Sequence, residues 1–316
     1  MDATSTASPW PKAIGIACAL SLVVGLLLAA FAWPAARSAP ADLPIAVAGP
    51  PAAVAEFSAQ LNDRAPGVFA ITEANDASVA EALVTDREVY GAFVLSPGSP
   101  PALLTASAAS PVVAHLLTGV ASGPAMSDVN DLVPFTADDP RGAGFAAAAL
   151  PMVMGGLLIG VASSLALAGA ARRMVAVLLG AALSGLVAGF VAQGWLGVLA
   201  GSYWINSAAI ALTIGAIGIT LVGLHSVLGH AGIALGAVTV FLIGNPLSGV
   251  AVAPEMLPGS WGTVGQFLPP GAGADLLRSV SFFDGMGSAQ PTLVLAFWGL
   301  AGLLLILAGV LRGRRD

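Results

Sequence analysis

Residues 14 to 33 read IGIACALSLVVGLLLAAFAW, twenty in a row without a charged side chain. Such a run is long enough to cross a hydrocarbon core of about 30 Å as a helix. In lipid every backbone amide must be satisfied internally, so the architecture narrows to helices that close their own hydrogen bonds. Trp10 and Trp33 bracket the run as interfacial anchors, and Pro9, Pro11 and Pro34 mark its ends. As the core of a cleaved signal it would be long, since such cores run about 7–15 residues, and no small-residue cleavage site follows closely. A retained anchor is the expectation.

Five further apolar runs follow, at 144–170, 174–192, 204–224, 231–250 and 292–311. The expected fold is an α-helical polytopic membrane protein with six transmembrane helices. The chain is 57% hydrophobic and 9% charged, where a soluble domain carries about 25% charged residues. Its 39 glycines suit close helix packing. Small-xxx-small spacings recur at Gly156/Gly160, Gly185/Gly189 and Gly232/Gly236, although none alone identifies a dimer face. The runs hold essentially no ionisable side chain. Asn206, Thr213, Thr220, Thr239 and Asn245 are read as formers of interhelical hydrogen bonds in preference to substrate contacts.

Residues 35–142 have another character. Twelve acids and four arginines fall there, so this stretch is a soluble insertion between the first and second spans. Strands are expected at 43–49, 68–74, 89–96 and 101–107, and helices at 52–63, 78–86 and 111–121. Pro111 after Ser110 is a helix-start signal, and Gly91 allows a close backbone approach within its strand. Alternating elements of this kind make a small α/β domain, with 122–142 expected as a linker back to the membrane.

The basic residues set an expected orientation. Lys12, Arg172, Arg173, Arg312, Arg314 and Arg315 fall on one side, while the loop near 193–203 has no basic residue and 251–291 has only Arg278. By the positive-inside rule both termini are cytoplasmic and the α/β domain is extracytoplasmic. The expected organisation is then a cytoplasmic N-terminus (1–12), a first helix (13–34), the outer domain with its linker (35–142), a five-helix membrane domain (143–311) and a basic cytoplasmic tail (312–316).

Several chemistries lack their residues. A phosphate-binding loop of the G-x-x-x-x-G-K-[ST] type needs a lysine after its glycines; the sole lysine is Lys12, in SPWPKAI. His115, His225 and His230 do not fall at metalloprotease spacing, and no nucleophile elbow is present. The single cysteine, Cys18, excludes a disulfide within the chain. A basic nucleic-acid surface is missing too. An enzyme, a cofactor and a metal are accordingly not expected.

The segment NPLSGVAVAPEMLPGSWGTVGQFLPPGAGADLLRSVSFFDG, 245–284, is too apolar for a solvated loop and too rich in proline and glycine for a span. Asn245-Pro246 ends the fifth helix, and a short helix begins after Pro269-Pro270. On it Leu276, Leu277, Val280 and Phe283 share a face, while Asp275, Arg278 and Ser279 point elsewhere; Asp275 and Arg278 are spaced for a weak pair. An interfacial or re-entrant segment is expected over 251–291, its charges toward water. The candidate pathway residues are Asn245, Pro246, Gly249, Pro269, Pro270, Asp275 and Arg278.

An anchor, a large external α/β domain, five further spans and a basic tail together resemble the type-2 ABC exporter permeases. The nearest likeness is to the YhgE/phage infection protein (Pip) branch. The residues that carry it are NPLSG (245–249), EMLP (255–258), FLPPGAGADLLR (267–278), FFDG (282–285), LPIAVAG (43–49), AEALVTDREVYGAFVLSPG (80–98) and LTASAAS (104–110). The resemblance implies a dimerising membrane subunit in a bacterial cytoplasmic membrane. Such a subunit moves amphiphilic or polymeric cargo outward, with or without a separate ATPase. The turns at 171–173 and 225–230 are short, so Arg172 and Arg173 are the only evident contact charges for that ATPase. The other reading is a membrane-anchored surface or envelope protein whose outer domain binds a ligand, phage or partner.

Overall fold

The computed structural model describes residues 9–121 and 128–312. Residues 1–8, the 122–127 part of the expected linker, and 313–316 with Arg314 and Arg315 lie outside the described residues.

The chain opens with α1 (Trp10–Arg37) and passes into a domain of alternating elements: β1 (Leu43–Ala48), α2 (Pro51–Arg64), β2 (Phe69–Ala74), α3 (Ala77–Thr85), β3 (Gly91–Val94), β4 (Ala102–Thr105), α4 (Pro111–Ala121) and β5 (Asp128–Asp131). These strands form one sheet in the order β2-β1-β3-β4-β5. β1 pairs in parallel with both β2 and β3, the helices α2 and α3 making the crossovers. β3 and β4 are an antiparallel pair, and β5 returns parallel to β4. β1 is a near-continuous apolar run because helices cover both faces of the sheet; five of its six residues are buried.

Local chemistry sets the helix starts. The Asp76 carboxylate accepts from Val79 N at 3.0 Å and from the Ser78 hydroxyl, which caps α3. Those bonds hold its carboxyl below the usual aspartate range. Prolines at the first position begin α2 and α4. Gly91 behaves as its sequence context predicts: a Cβ there would fall 2.7 Å from both the Leu104 carbonyl and Leu117 Cδ1. Gly91→Val is expected to cost about 1–3 kcal/mol in thermal unfolding, because β4 and α4 must both shift to admit it.

β5 is the element the sequence hid. It lies inside the expected linker, four residues long, with Val129 as its one apolar side chain. Its hydrogen bonds to β4, not its pattern, define it.

Among the described residues five helices are long and apolar enough to cross a membrane: α1, α5 (Ala143–Ala166), α6 (Ala170–Gly189) with its π-helical extension to Trp195, α7 (Tyr203–Leu228) and α11 (Ala289–Arg312). α7 is the axis of the bundle, with 78% of its most apolar window buried, whereas the same window of α1 is bare. The three small-residue pairs are spent on this axis. A Cβ at Gly156 would lie 2.7 Å from Ile217 Cβ, and one at Gly160 would lie 2.9 Å from Leu221 Cβ. Gly185 and Gly189 pack on Ser207, and Gly232 packs on the Leu224 carbonyl. These spacings bring helices of one chain together.

The expected fifth span takes a different form. α8 (His230–Ala237) supplies eight residues and a π-helical stretch, Val238–Gly244, seven more. That gives roughly 22 Å of rise at about 1.5 Å per residue, short of a hydrocarbon core. The irregular segment 245–268 follows, with a 3₁₀ turn at Pro254–Met256 and the short α9 (Trp261–Gln266). Then α10 (Pro269–Phe282) runs antiparallel to α7: Gly273 packs on Thr213, and Ser281 bonds Asn206. Thr213 is ten residues from the start of α7, about 15 Å along it. So α10 starts well inside the bundle and rises to the end where the sheet domain sits. Its first turn meets the end of the α8 limb, since a Cβ on Gly244 would lie 3.0 Å from Pro270 Cδ.

Candidate site at the junction of the broken helix and the sheet domain

The residues between Gly244 and Pro269 tie the broken helix to the sheet domain. Asn245 O accepts from Ser248 N and, at 2.8 Å, from the Ser248 hydroxyl, turning the chain off the helix axis. Pro246 is half-buried beside it. Gly249 sits at φ +69°, and a Cβ there would meet Pro254 Cγ at 3.0 Å. Beyond it Ala253 and Met256 enter the sheet domain's own core with Leu43, Ile45 and Phe93. Met256 O accepts from Ala39 N at 2.9 Å, fixing the exit of α1 to the same segment. Pro269 and Pro270 occupy the first turn of α10, where the missing N–H groups cost nothing.

The charges differ most from expectation. Asp275 and Arg278 do not pair with each other. Asp275 Oδ1 receives Arg87 Nη2 at 2.6 Å. Arg87 Nη1 donates to the Ser279 hydroxyl, and the guanidinium lies over Phe283, 5.1 Å from the ring centroid. Arg87 stands in the turn after α3 at φ +63°, a conformation uncommon for a residue with a side chain. That turn aims it at α10. Nor do all the charges on α10 face water. Eleven of its fourteen residues are buried, Arg278 and Ser279 among them. The sheet domain lies over α10 and replaces water with fixed partners.

Arg278 Nη2 donates to Val250 O at 3.1 Å, and its guanidinium lies over Phe145 at 5.0 Å. Tyr90 Oη donates to Glu255 Oε2 at 2.8 Å. Burial first, then the Glu255 charge beside it, pushes the Tyr90 phenol well above its ordinary range. Deeper at this end, Asn206 donates to Gln193 Oε1 at 2.9 Å and to Ala200 O at 2.7 Å, and accepts from Ser281. It joins α6, α7 and α10, the interhelical role expected of it.

Arg172 and Arg173 lie at the far end of the bundle. Arg173 Nε donates to Leu167 O at 2.9 Å and closes the α5–α6 turn, while Arg172 is exposed. They are not part of the junction. The junction residues that were not among the sequence candidates are Arg87, Tyr90, Glu255 and Ser279. Their only sequence signal was polarity beside apolar neighbours, which does not name a partner nearly two hundred positions away.

A second feature borders α10. An apolar groove of about 640 Å³ lies between α5 and α6, floored by Ile210 and Ile214 of α7 and by Leu277. Leu183, Val187 and Leu196 line it and are exposed, so it opens to the side of the bundle.

Among the described residues no group of three or more His, Cys, Asp or Glu side chains is placed to hold a metal ion. No protein-family model, curated protein or solved structure matches this chain.

Proposed function

We propose that the protein is the membrane subunit of a type-2 ABC-like exporter, moving an amphiphilic cargo across a bacterial cytoplasmic membrane with energy from a separate ATPase. The observation that carries this reading is the interrupted helix at Gly244 and Pro270, deep in the bundle and tied to the sheet domain. An anchor has no use for a break. Interrupted backbone at membrane depth must be satisfied by protein or a wet cavity, and transport proteins place broken helices at their substrate paths. The side-opening groove suits the apolar part of an amphiphile. The spans lack the buried carboxylate of a proton relay, which fits a motor on another chain. On this reading both termini are cytoplasmic and the sheet domain is outside. The bare flank of α1 fits a homodimer contact or lipid.

A second reading, a non-transporting surface or assembly protein, draws support from the far face of the bundle. Arg173 is occupied within its own turn, and α7 joins α8 through Gly229 alone, so among the described residues little projects there for an ATPase to grip.

Purification of the tagged protein from its native membranes in mild detergent separates the two. Co-purification of an ATPase whose hydrolysis is faster in the intact complex is the expected result. A homo-oligomer with no ATPase overturns the transport reading and leaves the second.

A further inference from the structure

A smaller cavity, about 210 Å³, lies where the sheet domain meets α5 and α10. Arg278 and Arg141 both line it, with Phe135, Phe145 and Val250 as apolar walls and the first residues of α4, Pro111 and Val112, on another side. Arg278 is 6% exposed. It has no ion-pair partner among the described residues, and its Nε is buried with no hydrogen-bond partner. An unpaired buried guanidinium costs several kcal/mol, so buried arginines are normally matched by an anion.

The acids within reach are committed elsewhere. Asp275, one turn before Arg278, is held by Arg87. Glu255 accepts from Tyr90. Asp139 caps α5, accepting from Gly144 N at 3.0 Å and Phe145 N at 2.8 Å. Asp138 is exposed, lies against Gly197 and does not line the cavity. What faces the cavity is therefore cationic: Arg278 at the back, exposed Arg141 at the mouth, and the positive end of the eleven-residue α4. Water takes about 30 Å³ per molecule, so there is room for a tetrahedral anion and a few waters. Below the cavity the same face of α5 continues from Ala146 to Leu150, which is exposed. An apolar tail would have a surface to follow.

We propose that this cavity binds a phosphate-class anion, with Arg278 as its buried counter-charge and Arg141 closing the mouth. The anion is either the headgroup of an amphiphile or free phosphate. The inference does not depend on transport; it concerns a site at the sheet-domain end of the bundle whichever reading of function holds.

The test uses the purified full chain, stripped of lipid, in a neutral detergent. Three probes are titrated: dihexanoyl phosphatidylglycerol, inorganic phosphate, and dihexanoylglycerol as the phosphate-free control. Tryptophan-fluorescence melting and native mass spectrometry read the binding. The wild type should gain several degrees and a bound adduct with phosphatidylglycerol and nothing with dihexanoylglycerol. A response to inorganic phosphate alone would support the site with the free ion as its ligand. Arg141→Ala should weaken binding by about tenfold, the scale of one charge-assisted hydrogen bond. Arg278→Met keeps the side-chain volume and removes the unpaired charge. It should melt no lower than the wild type without probe, and should lose the response. The proposal is overturned if the control stabilises as well as the phospholipid, if neither anion binds, or if Arg278→Met melts lower yet responds unchanged. That last result would make Arg278 a packing residue through Val250 and Phe145.

Discussion

Arg87→Ala is expected to loosen the sheet domain from α10 and cost about 2 kcal/mol, the scale of a charge-assisted hydrogen bond lost from a partly buried site. The side chains are 14% and 27% exposed, which places the pair between a surface bridge worth little and a buried one whose breakage costs about 3–5 kcal/mol. Asp275→Ala should cost a similar amount. The double variant should be no worse than the poorer single by more than a few tenths of a kcal/mol, because one interaction has been removed twice. The backbone supplies an internal control. Arg87 sits at φ +63°, so Arg87→Gly loses the same clamp but relieves backbone strain of order 1 kcal/mol. It should melt above Arg87→Ala. Hydrogen exchange should accelerate in α10 for all four variants. If the two alanine variants add independently, Arg87 and Asp275 are not a coupled pair in solution and the clamp falls with them.

The apolar runs at 14–33, 144–170, 174–192, 204–224 and 292–311 were legible because each is a long uncharged stretch, and each falls on a helix long enough to cross a membrane. The sheet domain was legible too, its strands alternating with short helices. What escaped did so for physical reasons. The run at 231–250 has the composition of a span but stops at Gly244, because Pro270 and the backbone of 245–268 pack there; hydropathy is blind to a neighbour that arrives from later in the chain. β5 escaped because Asp128–Asp131 is held by ladder bonds, which have no side-chain signature. At the junction, Pro269, Pro270, Asp275 and Arg278 were singled out from the sequence, and all four lie on α10. The weak pair that the spacing of the last two permits was local, three residues along one helix. The fold offered Asp275 a better donor in Arg87, already aimed by its turn. Sequence reasoning finds charges that do not belong in a span, but not the distant surface that receives them.

The same segment explains its own composition, and here the largest effect is expected. The glycines of FLPPGAGADLLR are contact surfaces, not hinges. A Cβ at Gly271 would fall on the Gly265 carbonyl, and one at Gly273 would lie 2.7 Å from Thr213 Oγ1 and closer still to its methyl. Gly265 in turn rests on the Leu247 carbonyl. Backbone thus packs on backbone where α10 enters the bundle, as it does between the spans α7 and α11 at Gly223 and Gly302. Gly273→Leu should drive α10 off α7 and cost about 3 kcal/mol or more, the upper end of overpacking, because α7 is the axis of the bundle and cannot retreat. Gly299→Leu is the matched control. It lies in α11 with nothing near its missing Cβ, and replacing a helical glycine there should be neutral or gain about 0.5–1 kcal/mol. Both substitutions add the same apolar bulk to a glycine in an apolar helix, so composition cannot separate them. Only the packing of α10 on α7 can, and detergent melting curves that fall together for the two variants would place α10 outside the bundle.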